Sequence, residues 1–105
     1  MQRPEVANEL RHLGLCYVQF NIDRGRSPAK LEDLQSVIER DMPKLYKGIQ
    51  EGYYVVFWSV PKPSSNVVLA HEKDPDTYGN RHVLMGDASV MRMDEAQLQE
   101  ALKAK

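Results

Sequence analysis

The stretch Tyr53-Tyr54-Val55-Val56-Phe57-Trp58-Ser59-Val60 decides how the chain is read. Nearly every residue in it is β-branched or aromatic, and both alternating faces are apolar. That is the pattern of a strand covered on two sides, and it predicts a central strand over 53–60. Upstream the chain reads as helices; downstream it reads as strands and then one more helix. This order argues for an α+β fold rather than a doubly wound sheet.

Working downstream, Pro61-Lys62-Pro63-Ser64-Ser65 closes the aromatic run as a turn. Asn66 to Glu72 reads as a second strand, and Lys73 to Asn80 as a polar loop. His82 to Met85 and Ser89 to Met93 then form a hairpin around Gly86-Asp87-Ala88. The closing helix begins at Asp94, with Gln97 three residues on as its capping-box partner. Met93 and Leu98 stand at the hydrophobic-staple positions. Lys103-Ala104-Lys105 is the fraying end.

Working upstream, a helix is expected from Pro4 to Ile22. Leu10, Leu13, Tyr17 and Phe20 fall on one stripe, while Leu15, Cys16, Val18 and Ile22 widen the apolar surface. A surface helix needs only a narrower stripe, so this helix is expected to be buried on more than one side. Gly14 in its middle costs about 1 kcal/mol of helix propensity, which a close backbone approach would explain. A turn at Asp23-Arg24-Gly25-Arg26 follows. Ser27 is the expected N-cap of a second helix, with Pro28 at its first position and Leu31, Leu34, Val37 and Ile38 inward. A third, short helix is expected from an Asp41 cap, with Leu45, Tyr46 and Ile49 apolar and Gly52 ending it. The whole chain, 1–105, is read as one α+β domain: an N-terminal helix on a small antiparallel sheet of about four strands, two short helices between, and a C-terminal helix.

The charge balance narrows function. Fourteen Lys and Arg stand against fifteen Asp and Glu, so no cationic excess drives nucleic-acid binding. A single cysteine, Cys16, forms no internal disulfide. No apolar run approaches the ~20 residues that span a bilayer. The length suits one modest core, hiding about two thirds of the unfolded surface.

Candidate chemistry is sparse. His71, His82 and Asp87 sit on adjoining strands and a turn, and such a set could hold zinc or another divalent metal. Against this, neighbours along a strand face opposite ways, so His71 and Glu72 do not readily serve one site. Asp74, Asp76 and Gly79 mimic part of a calcium loop, but the twelfth position is Met85 where an EF-hand needs Glu. His12 and Cys16 are one helical turn apart, yet a cysteine in an apolar band is an inert small hydrophobe. No phosphate-cradling glycine loop or nucleophile elbow is present. No cofactor is implied. Tyr53, Tyr54, Trp58 and Tyr78 are the candidate aromatic anchors for a protein partner. Met85, Met91 and Met93 read as core filling.

Three stretches then carry a resemblance. Asn8-Glu9-Leu10-Arg11-His12-Leu13-Gly14-Leu15-Cys16-Tyr17 resembles the N-L-K-Q-I-G-L-A stretch of planctomycete-type prepilin-like proteins, with Phe20 at their following aromatic position. Arg24-Gly25-Arg26-Ser27-Pro28-Ala29 is similar to their N-G-x-x-P-x turn, leading into Leu31-Glu32-Asp33-Leu34. Val83-Leu84-Met85-Gly86-Asp87-Ala88-Ser89-Val90 is similar to their hydrophobic-x-D-G-S-V hairpin. The resemblance implies a pilin-like arrangement, a helix laid across an antiparallel sheet. It also implies a non-enzymatic assembly role, as the soluble head of a pilin- or pseudopilin-like envelope component in contact with other protein subunits. A membrane helix preceding this stretch and an extracytoplasmic location belong to the same expectation. The competing readings are a metal-binding sensor or enzyme using His71, His82 and Asp87, and a soluble cytoplasmic protein-binding module. One departure concerns the hairpin: Ala88 stands where those proteins have glycine, and alanine tolerates positive φ poorly, so Gly86 is expected to supply the unusual dihedral.

Overall fold

The computed structural model describes residues 6–103. Helix α1 (Val6–Arg24) is followed by a 3-10 turn (Leu31–Asp33), α2 (Gln35–Asp41) and α3 (Pro43–Gln50). Strands β1 (Tyr54–Val56), β2 (Val68–Glu72), β3 (Asn80–Met85) and β4 (Val90–Asp94) come next, then α4 (Glu95–Lys103). The strands form an antiparallel meander in the order β1-β2-β3-β4. The chain thus has the expected α+β architecture. The expected helix start at Pro4, and Ala104 and Lys105 of the fraying end, lie outside the described residues.

Strand alternation distributes two cores. Leu84 on β3 joins Leu10, Leu13, Tyr17, Ile38 and Leu45 beneath α1, α2 and α3. Its neighbours Val83 and Met85 turn the other way and pack with Val68, Met93 and Leu98 beneath α4. A register irregularity between Val68 and Ala70 lets both Leu69 and Ala70 face the α1 side. Gly14 meets the sheet as its position requires. A Cβ there would lie 2.7 Å from Leu84 Cδ1 and 3.0 Å from Ala88 Cα. The closing helix begins on a complete capping box: Gln97 N–H donates to Asp94 Oδ1 (2.8 Å), and Asp94 N–H donates to Gln97 Oε1 (3.0 Å). Met93 and Leu98 bury together as its staple.

Several local expectations are corrected. The aromatic run is not a central strand. β1 is a three-residue edge strand, and the buried centre of the sheet is β2 and β3. The pairing persists through Phe57, whose N–H donates to Leu69 O (2.8 Å), and then the chain leaves the sheet. Ser59 takes a left-handed conformation (φ 60°), and the segment turns onto α1. There Tyr17 Oη donates to Phe57 O (2.8 Å) and accepts from Val60 N–H (3.1 Å). Ser59 N–H donates to Pro28 O (2.8 Å). Both faces of the run read as apolar because its first half packs in a sheet and its second half packs on a helix.

Ser27 does not cap α2. Its side chain donates to Val60 O and accepts from Asn21 Nδ2 (3.1 Å), so a tertiary contact takes the oxygen a cap would use. Helical structure begins only at Leu31, where Asp33 Oδ2 accepts from Ala29 N–H (2.8 Å). Asp41 likewise ends α2 instead of capping α3. Pro43 restarts the helix with its preset φ, and it pushes Met42 out of the helical region, to φ −139° and ψ 69°. α3 closes as expected at Gly52 (φ 82°). Tyr53 N–H bonds Gly48 O (2.9 Å) and Gly52 N–H bonds Ile49 O (3.2 Å), the Schellman pair.

Two further corrections matter for function. Leu15 and Ile22 are 57% and 69% exposed, so α1 is not covered on all sides, and Val37 on α2 is exposed too. At the β3–β4 hairpin the left-handed residue is Ala88 (φ 70°), not Gly86. Met85 O accepts from Ala88 N–H (3.0 Å), and Met85 N–H donates to Ser89 O (2.8 Å), giving a three-residue loop. Gly86 is there for space: a Cβ would stand 2.2 Å from Ser64 N.

Candidate functional site

The four aromatic candidates separate into three environments. Tyr53 and Tyr78 are exposed (61% and 85%). They sit at one end of the sheet, before β1 and in the β2–β3 loop. Tyr54 is a core residue, corrected from a surface anchor: strand alternation turns it inward, and its hydroxyl donates to Glu9 Oε1 at 2.6 Å. Glu9 is itself buried on α1, so this hydrogen bond satisfies a carboxylate that would otherwise be costly there. Trp58 lies at the far end of β1, partly buried and stacked on Tyr17 with centroids 6.2 Å apart and planes within 12°.

The metal candidates are not brought together. His71 is paired with Val83 across β2 and β3, so His82, next along β3, lies on the opposite face. On that face His82 bonds Glu72: its backbone N–H donates to Glu72 Oε1 (2.7 Å), and Nδ1 lies 2.9 Å from the same oxygen. His71 turns its ring toward Phe57 (5.8 Å), with Nδ1 2.6 Å from Glu72 O. Asp87 is past the end of β3, on the hairpin tip, about 10 Å or more along the chain from His82 at strand rise. Its carboxylate accepts from Ser89 Oγ (2.5 Å) and N–H (3.0 Å), which hold its pKa below the usual range. Among the described residues, no three His, Cys, Asp or Glu side chains are grouped to hold a metal ion.

Asp76 serves the β2–β3 loop. Its Oδ1 accepts from Tyr78 N–H (2.9 Å) and Asn80 N–H (3.0 Å), and Arg92 donates to Oδ2 (2.6 Å). The Asn80 amide leads the contributions that lower its pKa. Cys16 is half-buried, and burial, followed by the charge of Asp41, pushes its thiol pKa up. That leaves less thiolate for nucleophilic chemistry.

Two surface features stand out in place of the expected set. The first is the stripe Leu15, Val18 and Ile22 on α1. It repeats the 3,4 spacing of Leu10, Leu13 and Tyr17 five residues on, about 140° further round the helix. That offset is the sequence signal for a second, outward stripe. The second is a cavity of about 690 Å³ between the 57–62 segment, the start of β2 and the last turn of α4. Its walls include Phe57, Trp58, Val60, Val68 and Leu102, with Lys62 beside them. The chain leaves the sheet after Phe57 to make it. No helix among the described residues is long and apolar enough to cross a membrane. No protein-family model, curated protein or solved structure matches the chain.

Proposed function

We propose that this chain is a non-enzymatic structural protein, akin to the soluble head of a pilin- or pseudopilin-like envelope component, that works by packing against like subunits. The observation that carries the reading is the apolar stripe Leu15–Val18–Ile22 on α1, in which Leu15 and Ile22 are exposed and Val18 between them is half-buried. Inside the fold α1 already buries Leu10, Leu13 and Tyr17 completely. The outer stripe therefore contributes little to the domain's own core, and apolar side chains aligned on one exposed face mark an interaction surface. The residues quoted for the resemblance support the same reading: the stretch 8–17 lies on this helix, and the architecture is a helix laid over an antiparallel sheet. Tyr53 and Tyr78, exposed at one end of the sheet, are the aromatic anchors for neighbouring subunits.

Sedimentation velocity over a wide concentration range tests this. The chain should self-associate reversibly. Leu15→Glu with Ile22→Glu should weaken association by at least about a hundredfold, since each buried aliphatic side chain contributes about 1.5–3 kcal/mol. Both positions are exposed, so the variant should keep its unfolding midpoint. A chain that stays monomeric at every concentration, or associates equally well with both substitutions, overturns the proposal.

A further inference from the structure

The cavity beside Trp58 is built rather than incidental. Its outer wall, residues 57–60, belongs to no helix or strand, yet four hydrogen bonds fix it to the α1 side. Tyr17 Oη binds Phe57 O and Val60 N–H, Ser59 N–H binds Pro28 O, and Ser27 binds Val60 O. The left-handed φ of Ser59 is strain of the kind held at ligand sites when surrounding structure enforces it. Because this segment is drawn toward α1, it leaves Val68, at the beginning of β2 and paired with Met85 on β3, without a strand partner on its other side. The last turn of α4, with Ala101 and Leu102, stops short of filling the gap. The remaining space, about 690 Å³, is in the range of small-molecule sites, and its lining is mostly apolar. Lys62 is the only ionisable residue among the described residues that line it, and no carboxylate does.

We propose that this cavity binds a free aliphatic carboxylate, a fatty-acid-like amphiphile, with its chain against Phe57, Trp58, Val68 and Leu102 and its anionic head at Lys62. The apolar walls select a hydrocarbon body, and the lone cationic side chain selects the sign of the head. The fixed outer wall means the protein does not order itself on binding, which conserves affinity. This site is independent of the α1 stripe.

Trp58 is the sole tryptophan of the sequence and lines the cavity, so its fluorescence reports occupancy directly. The full chain is titrated with decanoate, dodecanoate and tetradecanoate below their aggregation thresholds, with dodecyltrimethylammonium as the cationic control and calorimetry as a second readout. The emission change should saturate, with affinity rising about fourfold per methylene added. The cationic amphiphile should bind markedly more weakly than dodecanoate. Ala101→Phe, which fills the cavity from α4, should abolish binding. Lys62→Glu, at an exposed position that leaves folding unchanged, should weaken dodecanoate by about fivefold or more and improve the cation. Three results each overturn the proposal: no saturable response, equal affinity for both head charges, or a response only above the aggregation threshold.

Discussion

Gly86→Ala tests a close approach of two backbone segments. The added Cβ would sit 2.2 Å from Ser64 N, 2.5 Å from Ser64 O and 2.8 Å from Pro63 C, all backbone atoms that cannot rotate away. Restoring an ordinary contact of 3.4 Å requires the 63–64 segment to retreat by about 1.2 Å. That segment is tied back to the hairpin: Gly86 N–H donates to Val67 O (2.8 Å), and Val67 N–H donates to Ser64 O (3.1 Å). Overpacking of this kind costs about 1–3 kcal/mol, and loosening one of these hydrogen bonds adds about 1 kcal/mol. The expected loss is therefore about 3 kcal/mol. In urea the midpoint should fall by about 2 M with an unchanged slope, and the thermal midpoint by about 12 °C. Gly79→Ala is the control. Gly79 has a left-handed φ of 82° but nothing within 4 Å of its would-be Cβ, so it pays only the conformational cost of about 1–2 kcal/mol. If Gly86→Ala proves no more destabilising than Gly79→Ala, close approach is not what fixes glycine at 86.

Other outcomes are expected. Tyr54→Phe should lower stability by about 1.5–3 kcal/mol, because it removes a hydrogen bond to the buried Glu9 carboxylate. Tyr53→Phe, at an exposed ring, should leave the urea midpoint within error. Asp94→Ala should cost about 1 kcal/mol by opening the capping box of α4, which denaturation of the purified variant would show. For pH, the carboxyls of Asp33, Asp41, Asp76, Asp87 and Glu95 are all held below their usual range. Groups depressed on folding stabilise the protein above their unfolded pKa, and that contribution disappears as pH falls through the folded value. The thermal midpoint should accordingly drop below about pH 4, and Asp76→Asn should flatten that drop. A midpoint that rises on acidification would contradict the sign.

How much of this was readable in advance depended on whether a residue's role was local. The capping box of Asp94 and Gln97, the Schellman glycine at 52 and the inward stripe of α1 follow from neighbours within one turn, and each was legible. Ser27 was not, because its hydroxyl is taken by Val60, thirty-three residues away. The aromatic run misled for a related reason. Alternation describes what a residue packs against, but it does not say whether the covering element is a strand or a helix. Trp58 and Val60 satisfy the strand pattern while packing on the α1 side. The same ambiguity hid the cavity, which exists only because that segment departs from the sheet. His71 and His82 illustrate the opposite case. Their separation onto two faces follows from strand parity once the register, His71 against Val83, is known, and the register is a tertiary fact.

The Tyr17 hydroxyl has a consequence for hydrogen exchange. Amide protection is commonly assigned to helices and ladders, yet Val60 N–H is held by a tyrosine oxygen and Ser59 N–H by a proline carbonyl, in a stretch with no regular structure. The Val60 proton leaves only when the contact with Tyr17 on α1 breaks, and the Ser59 proton only when the segment parts from Pro28, so their exchange should track a tertiary opening rather than the fraying of a loop. A segment without secondary structure would then share the slow solvent exchange of the core, and its ordering would be set by one phenol that reaches residues forty and forty-three positions further along the chain.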